Sequence, residues 1–184
     1  GTHTINHLGG YTKTESELDF AGVTKQAITR HKRLDSDTEK TITQTFEYDT
    51  QNRLLYKTHR VDNNPVETLS QNEYNELSQL QQRTVGGGLQ EINYAYNIHG
   101  SMTKINDPNH LGSDLFGYEI KYNNPQNSTP RYNGNISEID WKKSVEIGTE
   151  SMLKRYSYHY DPLNRLTEAT FSTPNATVPF NEYY

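Results

Sequence analysis

The stretch YSYHYDPLNRLTEATF, residues 156–171, places an imidazole, a carboxylate and a guanidinium close together in the chain. His159 and Asp161 are residue types that form acid–base pairs, and Arg165 is a residue type that binds anions. The same stretch alternates tyrosines with other residues, which is typical of one face of a β-strand; these are Tyr156, Tyr158 and Tyr160. Asp161 is followed by proline, which favours the second position of a β-turn. We therefore interpret the stretch as a strand and a turn, without catalytic residues.

The remaining candidate sites each lack a part that their chemistry requires. His3 and His7 have no third ligand at metal-binding spacing. The acidic segment 35–39 has neither the glycine nor the distal glutamate of a calcium loop. The glycines at 86–88 lack the lysine and the helix of a phosphate-binding loop. The sequence therefore predicts no metal site, no cofactor and no enzymatic activity.

The composition predicts a folded, thin β-structure and excludes several classes of function. Only 31% of the residues are hydrophobic and the mean hydropathy is −0.99, yet the net charge of −5 and the 14 tyrosines are unlike a disordered chain. Lys and Arg are scattered and the pI is about 5.8, so no nucleic-acid partner is expected. Without cysteine there are no disulfides. No apolar run is long enough to span a membrane.

Alternation with a period of two dominates the chain, so the predicted fold class is all-β with antiparallel strands. TITQTFEY (41–48), LQEINYAYNI (89–98) and SMLKRYSYHY (151–160) each read as half-buried strands. Segment 72–83 has apolar residues at spacings of three, so a short helix is an alternative to a strand there. The Asn133-Gly134 pair predicts a tight hairpin between RY and NISEIDW, because type I′ turns favour this dipeptide.

A short pattern recurs and joins the predicted strands in pairs. It consists of tyrosine, then Asp or Asn, a turn-prone residue four places after the tyrosine, and Leu or Met at the sixth place. Its residues are Tyr48, Asp49, Asn52, Arg53, Leu54, Tyr74, Asn75, Leu80, Tyr96, Asn97, Gly100, Met102, Tyr160, Asp161, Asn164, Arg165 and Leu166. A shortened copy comprises Tyr132, Asn133 and Gly134, and LDFAGV (18–23) is a degenerate first copy.

Each copy predicts a strand that ends at the tyrosine, a polar turn, and a second strand that starts near the Leu or Met. The Asp or Asn side chain can bind backbone amides two residues further on, which closes the turn. Asn52, Gly100 and Asn164 stand where a positive φ is expected. The predicted turns lie near 48–54, 74–80, 96–102, 132–136 and 160–166. Because a hairpin cannot bury its own face, neighbouring repeats are expected to pack against one another.

YDTQNRL and YDPLNRL resemble the tyrosine-aspartate (YD) repeats of the bacterial rearrangement-hotspot (Rhs) family, whose usual form is Tyr-Asp, two variable residues, Gly, Arg and Leu. The resemblance covers the chain from about residue 18 to its end. Asn52 and Asn164 replace the usual glycine, and asparagine also tolerates a positive φ. The copies from Tyr74 and Tyr96 lack the arginine.

This resemblance implies a β-sheet that spirals into a hollow shell, which in many bacterial members encloses a variable C-terminal toxin. The wider group includes the animal teneurins, which act in adhesion. Residues 1–184 would then be one segment of shell wall, cut from a longer secreted or cell-surface bacterial protein. Its expected partners are flanking YD repeats of the same polypeptide and an encapsulated C-terminal toxin domain.

A carbohydrate-binding or adhesion module on the cell surface is the alternative function. Tyrosines, Trp141 and the many Asn, Gln and Thr side chains are residue types that stack on sugar rings and bind hydroxyl groups. Cell-surface glycans would then be the partners. The same aromatic residues could instead pack across strands to hold a thin sheet together. Tyr158→Ala distinguishes the two hypotheses, because it would remove glycan binding in one case and only stability in the other.

Overall fold

The computed structural model describes residues 1–144 and 152–174, together with the backbone of residues 182–183. All regular structure in these residues is β-strand, and every strand pair is antiparallel. The chain divides into two compact units, residues 1–91 and 92–184. The prediction of an all-β antiparallel fold is confirmed.

The first unit is a meander in which each strand pairs with the next along the chain. Its strands are β1 (Thr2–Ile5), β2 (Gly9–Leu18), β3 (Thr24–Leu34), β4 (Lys40–Tyr48), β5 (Leu54–Val61), β6 (Glu67–Tyr74) and β7 (Leu80–Val85). The segment 72–83, which could have been a helix, is the end of β6, a turn and most of β7. Tyr74, Leu77 and Leu80 are three residues apart because Tyr74 ends β6, Leu77 lies in the turn and Leu80 begins β7.

The second unit repeats this arrangement. Its strands are β8 (Gln90–Tyr96), β9 (Met102–Ile105), β10 (Phe116–Lys121), β11 (Glu138–Lys143), β12 (Lys154–Tyr160), β13 (Leu166–Ser172) and β14 (Glu182–Tyr183). β8 starts just before the boundary between the units. Each strand again pairs with its successor.

The predicted hairpin at Asn133-Gly134 is wrong. Gly134 has a φ of 90°, as the turn requires, but the flanking RY segment is not in a strand. Lys121 at the end of β10 pairs directly with Glu138 at the start of β11, so residues 122–137 form one long connection. The pairing of two whole strands outweighs the local turn preference of two residues.

The interior of the described chain is polar. Leu153, with 4% of its surface exposed, and Pro108 are buried apolar side chains, while nine polar or charged residues are buried. Aromatic rings pack against one another in the second unit: Trp141 stacks on Tyr156 at 5.6 Å, and Phe171 lies 5.4 Å from Tyr156. Such a sheet relies on strand pairing, cross-strand rings and ion pairs, because it has little apolar core.

Candidate functional site

The recurring turn is closed by an Asp or Asn side chain that binds two backbone amides. In the turn after β4, Oδ1 of Asp49 accepts hydrogen bonds from the amides of Gln51 at 2.8 Å and Arg53 at 2.9 Å. The Asp49 amide donates a hydrogen bond to the Arg53 carbonyl, and the Asp49 carbonyl accepts one from the amide of Asn52. Asn52 has a φ of 60°. This is a type I turn followed by one left-handed residue.

The same turn occurs six times in the described residues. Its side-chain oxygen accepts bonds of 2.8–3.0 Å from the amides two and four residues on. The fourth residue has a φ between 60° and 83° in each copy. The capping residues are Asn6, Asp19, Asp49, Asn75, Asn97 and Asp161. Asp19 lies in the degenerate first copy, whereas sequence reasoning missed Asn6, which has no tyrosine before it.

The strands end and begin at the residues that the repeat predicts. β4, β6, β8 and β12 end at their tyrosines, and the strands that follow start at the Leu or Met. Each tyrosine pairs with that Leu or Met across the turn, and the register shifts by one residue immediately beyond. The turn therefore includes a β-bulge, which adds local twist at one end of each hairpin.

The tyrosine-based turns lie at one end of the strands within each unit. In the first unit the turns of Asp49 and Asn75 follow β4 and β6, and the Asp19 turn follows β2. In the second unit the turns of Asn97 and Asp161 follow β8 and β12. All of these strands are even-numbered, and strands in an antiparallel meander alternate in direction. The Asn6 turn follows β1 and therefore lies at the opposite end.

Neighbouring repeats of the first unit are joined through the tyrosine and a cation. The Arg53 side chain donates from Nε to Oδ2 of Asp49 at 2.6 Å and lies 4.7 Å above the ring of Tyr74 in the next repeat. The Tyr74 hydroxyl donates to the carbonyl of Leu54 at 3.0 Å. Lys25, which follows the Asp19 turn, lies 5.0 Å from the ring centre of Tyr48. A cation over a tyrosine face is attractive, so each repeat stabilises the next.

The second unit contains the same contacts around Tyr160, although the preceding segment is a long connection. The Tyr160 hydroxyl donates to the carbonyl of Ile136 at 2.8 Å, and Arg131 lies 5.0 Å from the ring centre of Tyr160. Asn133 donates to Oδ1 of Asn164 at 2.8 Å. Residues 132–136 are therefore not a repeat turn, but the connection that contains them supplies the same contacts.

In the stretch 156–171, the carboxylate and the guanidinium that could have formed a site instead bind to each other and to the turn. Asp161 accepts from the amides of Leu163 and Arg165 and from Nε of Arg165 at 2.6 Å. His159 lies in β12 opposite Glu168 of β13, and no described contact joins its imidazole to Asp161. Hydrogen bonds from the Arg165 amide and then its side chain hold the pKa of Asp161 below its usual range. The Arg53 amide and side chain have the same effect on the pKa of Asp49.

Sequence reasoning missed a buried ion cluster in the second unit. Lys121, Glu138, Asp140 and Arg155 have side chains that are 5%, 0%, 1% and 3% exposed. Nζ of Lys121 lies 2.9 Å from Oε1 of Glu138 and 2.6 Å from Oδ2 of Asp140. Arg155 contacts both oxygens of Asp140, at 2.6 Å from Nε and 2.7 Å from Nη2. Two cations and two carboxylates leave the cluster neutral.

Strand register assembles this cluster. Lys121 of β10 is opposite Glu138 of β11, and Asp140 of β11 is opposite Arg155 of β12. The alternation of EIDWK, residues 138–142, places both carboxylates on one sheet face and Trp141 on the other. This alternation could have indicated that Glu138 and Asp140 share a face. Their cationic partners could not be identified from it, because Lys121 and Arg155 lie on other strands, 15 to 19 residues away in the chain.

The connection 122–137 covers the cluster and is held by it. Glu138 accepts hydrogen bonds from the amides of Gln126 and Asn127, the latter at 2.8 Å, and Nη2 of Arg155 donates to Oε1 of Gln126 at 2.5 Å. Burial would raise the pKa of Asp140, but hydrogen bonds from Arg155 and Lys121 outweigh it and hold that pKa below its usual range. Both carboxylates are paired with cations, and their side chains are almost fully buried.

Within the described residues, the geometry offers few reactive arrangements. No group of three or more His, Asp or Glu side chains is placed to hold a metal ion. None of the described residues form a helix that is long and apolar enough to cross a membrane. A cleft of about 660 Å³ in the second unit lies between the Asn97 turn and the 122–137 connection, and its lining includes tyrosine, asparagine and Arg131 side chains.

No protein-family model matches the chain, and a search of curated proteins finds no match. Among solved structures, the chain is similar to a chain of the Photorhabdus luminescens Tc holotoxin pore, with 12% identity and a TM-score of 0.41 over 94% of this chain. It is also similar to a chain of the crystal structure of TcdB2-TccC3-Cdc42, with 12% identity and a TM-score of 0.33 over 95% of this chain. The present chain spans 11% and 9% of the lengths of those two chains.

Proposed function

We propose that this chain is a structural segment of sheet wall in a longer repeat polypeptide of the Rhs type, and that it has no catalytic activity. The observation that carries the proposal is the contact between successive repeats. The preceding repeat supplies both contacts of Tyr74: the Leu54 carbonyl accepts a hydrogen bond from the Tyr74 hydroxyl, and the Arg53 guanidinium lies over the Tyr74 ring. A unit whose contacts are supplied by its neighbour is suited to extension into a long sheet.

The polarity of the sheet supports a role as a wall. Because few apolar side chains besides Leu153 and Pro108 are buried among the described residues, neither face of the described sheet forms a thick apolar core. A wall between solvent and a water-filled cavity needs two polar faces, because both of its faces contact water. We infer that the longer polypeptide encloses or presents a C-terminal toxin or effector, in a secreted or cell-surface bacterial protein.

The charged groups support a non-catalytic role. The buried cluster is neutral, and its carboxylates are 0% and 1% exposed, so they serve to fix the 122–137 connection. The half-buried carboxylates of Asp49 and Asp161 each accept hydrogen bonds from backbone amides and from an arginine side chain. A general acid or base needs an accessible proton site within reach of a substrate, and these groups are committed to hydrogen bonds within the fold.

The aromatic residues favour the wall over a sugar-binding surface. Tyr156 is stacked on Trp141 at 5.6 Å and lies 6.1 Å from Tyr158, so these rings pack on one another along the sheet. Tyr158→Ala is therefore expected to lower stability without removing any glycan binding. A glycan array that bound the chain, and lost binding in this variant, would overturn the structural assignment.

Protease protection tests whether the longer polypeptide encloses its C-terminal part. The full polypeptide that contains this segment is digested with a nonspecific protease, and cleavage downstream of the segment is followed by mass spectrometry. A wall predicts slow cleavage of the downstream part in the native protein and rapid cleavage after unfolding in urea. If native and unfolded protein lose the downstream part at the same rate, the chain does not enclose it.

A further inference from the structure

The 660 Å³ cleft of the second unit has the composition of a binding site for a polar ligand. Its walls include Tyr122, Asn123, Asn124 and Tyr132, and the described hydrogen bonds use none of their side-chain polar atoms. Tyr132 is 83% exposed. The cleft therefore presents several free hydroxyl and amide groups around one cation, Arg131.

Arg131 differs from Arg53, the other described arginine that lies over a repeat tyrosine, because Arg131 has no carboxylate partner among the described residues. It lies over Tyr160 at 5.0 Å, and Nη2 donates weakly to the carbonyl of Tyr160 at 3.4 Å. Its Nε is shielded from solvent and has no hydrogen-bond acceptor. In contrast, Nε of Arg53, which lies over Tyr74, donates to Asp49 at 2.6 Å.

We propose that this cleft binds the carboxylate of an Asp or Glu side chain from an acidic polypeptide segment, with Arg131 as the cation. The chain itself shows the matching chemistry, because Arg53 and Arg165 each contact a side-chain carboxylate at 2.6 Å. No residue of the described ranges supplies a carboxylate to Arg131, although the contact with a tyrosine ring is present. A carboxylate that entered the cleft and approached the guanidinium would gain a charge-assisted hydrogen bond.

The local charges permit an anion in the cleft. Glu119 also lines it, but Nζ of Lys104 lies 3.6 Å from Oε1 of Glu119 and offsets its charge. The free tyrosine hydroxyls and asparagine amides can donate to the second carboxylate oxygen and to the peptide backbone. The site stands independently of the proposed wall function, since it rests on the side chains of the second unit.

An NMR titration of the 184-residue protein tests the site with two blocked alanine peptides, one with a central glutamate and one with a central glutamine. We expect the glutamate peptide to shift the Arg131 Nε–Hε signal saturably, and the glutamine peptide to bind at least about tenfold more weakly. Equal shifts with both peptides, or none, would contradict the proposal. Tighter binding of free glucuronate than of the glutamate peptide would assign the cleft to an acidic sugar instead.

Three variants identify the cation. Arg131→Gln should abolish the difference between the two peptides, and Arg131→Lys should reduce it because lysine lacks the planar fork of donors. Arg165→Gln is the matched control: Arg165 is 73% exposed and already pairs with Asp161, so its loss should leave binding unchanged. If Arg131→Gln is unfolded, the comparison of peptides on the native protein still decides the outcome. An equal loss in the Arg165→Gln control would overturn the assignment.

Discussion

Replacing Arg155 with methionine tests whether the buried ion cluster stabilises the second unit. The change keeps an unbranched side chain of similar length but removes the guanidinium, which is 3% exposed and binds Asp140 at 2.6 and 2.7 Å. It also removes the 3.2 Å contact with Glu138 and the bond to Gln126. Two carboxylates, 0% and 1% exposed, would then face the single ammonium of Lys121.

The expected cost follows from the burial of these charges. Removing one partner of a buried ion pair typically destabilises a protein by about 3–5 kcal/mol, because the remaining charge is left without compensation. A domain is stable by only about 5–15 kcal/mol in total. Arg155→Met should therefore lower the urea midpoint of the second unit by at least about 1 M. It should also loosen the 122–137 connection, since Gln126 loses its arginine partner.

Urea unfolding can be followed through Trp141, the single tryptophan of the chain, which lies in β11 beside Asp140. Arg155→Lys should have an intermediate effect, because it keeps the charge without the two-pronged contact. Arg165→Met is the control, since Arg165 is 73% exposed and its loss should change the midpoint little. A midpoint for Arg155→Met within about 0.3 M of the unaltered protein would refute the reasoning, because it would correspond to a cost well under that of a broken buried pair.

Three further predictions concern the stability of the turns, the contacts between repeats and the loss of stability at low pH. Asn52 has a φ of 60°, so Asn52→Val should cost about 1–2 kcal/mol while Asn52→Gly should cost nothing measurable, as tested by urea unfolding monitored by circular dichroism. Tyr74→Phe removes the bond to the Leu54 carbonyl and should cost about 1 kcal/mol in the same measurement; an unchanged midpoint would show that the bond contributes nothing. Because the pKa of Asp140 is held below the usual value of an aspartic acid in the folded state, the stability that Asp140 contributes is present above that usual pKa. This stability is lost as the pH falls through the lower, folded-state pKa. The urea midpoint of Trp141 fluorescence should therefore drop below about pH 4, and a midpoint that is equal at about pH 3 and about pH 6 would contradict this.

The repeat turn could be predicted from the sequence because its causes are local. The Asp49 side chain reaches amides only two and four residues away, and the left-handed residue must be Asn52, since asparagine tolerates a positive φ. Ser78 takes the same conformation, with a φ of 62°, in a copy where the sequence gives a weaker signal. The turn at Asn6 was missed because the search depended on a preceding tyrosine, although Asn6 and Gly9 carry the two features that the turn needs.

The connection 122–137 shows where local reasoning fails. Asn133-Gly134 favours a tight turn, but the Arg131 amide donates to the carbonyl of Tyr122, and the Arg131 side chain lies over Tyr160. These partners are separated from the dipeptide in sequence, and their contacts fix the connection in another path. The Asn133 side chain instead reaches Asn164 in the following repeat turn.

By itself, the sequence determined the all-β class, the strand ends at Tyr48, Tyr74, Tyr96 and Tyr160, and the chemistry of the turns between them. All of these depend on alternation and on contacts within a few residues. Only the tertiary structure decided which side chains meet across strands: Arg53 with Tyr74, and Lys121, Glu138, Asp140 and Arg155 in one buried cluster. Strand register sets those meetings, and register depends on pairing between distant segments, where a shift of one residue moves every side chain to the other face.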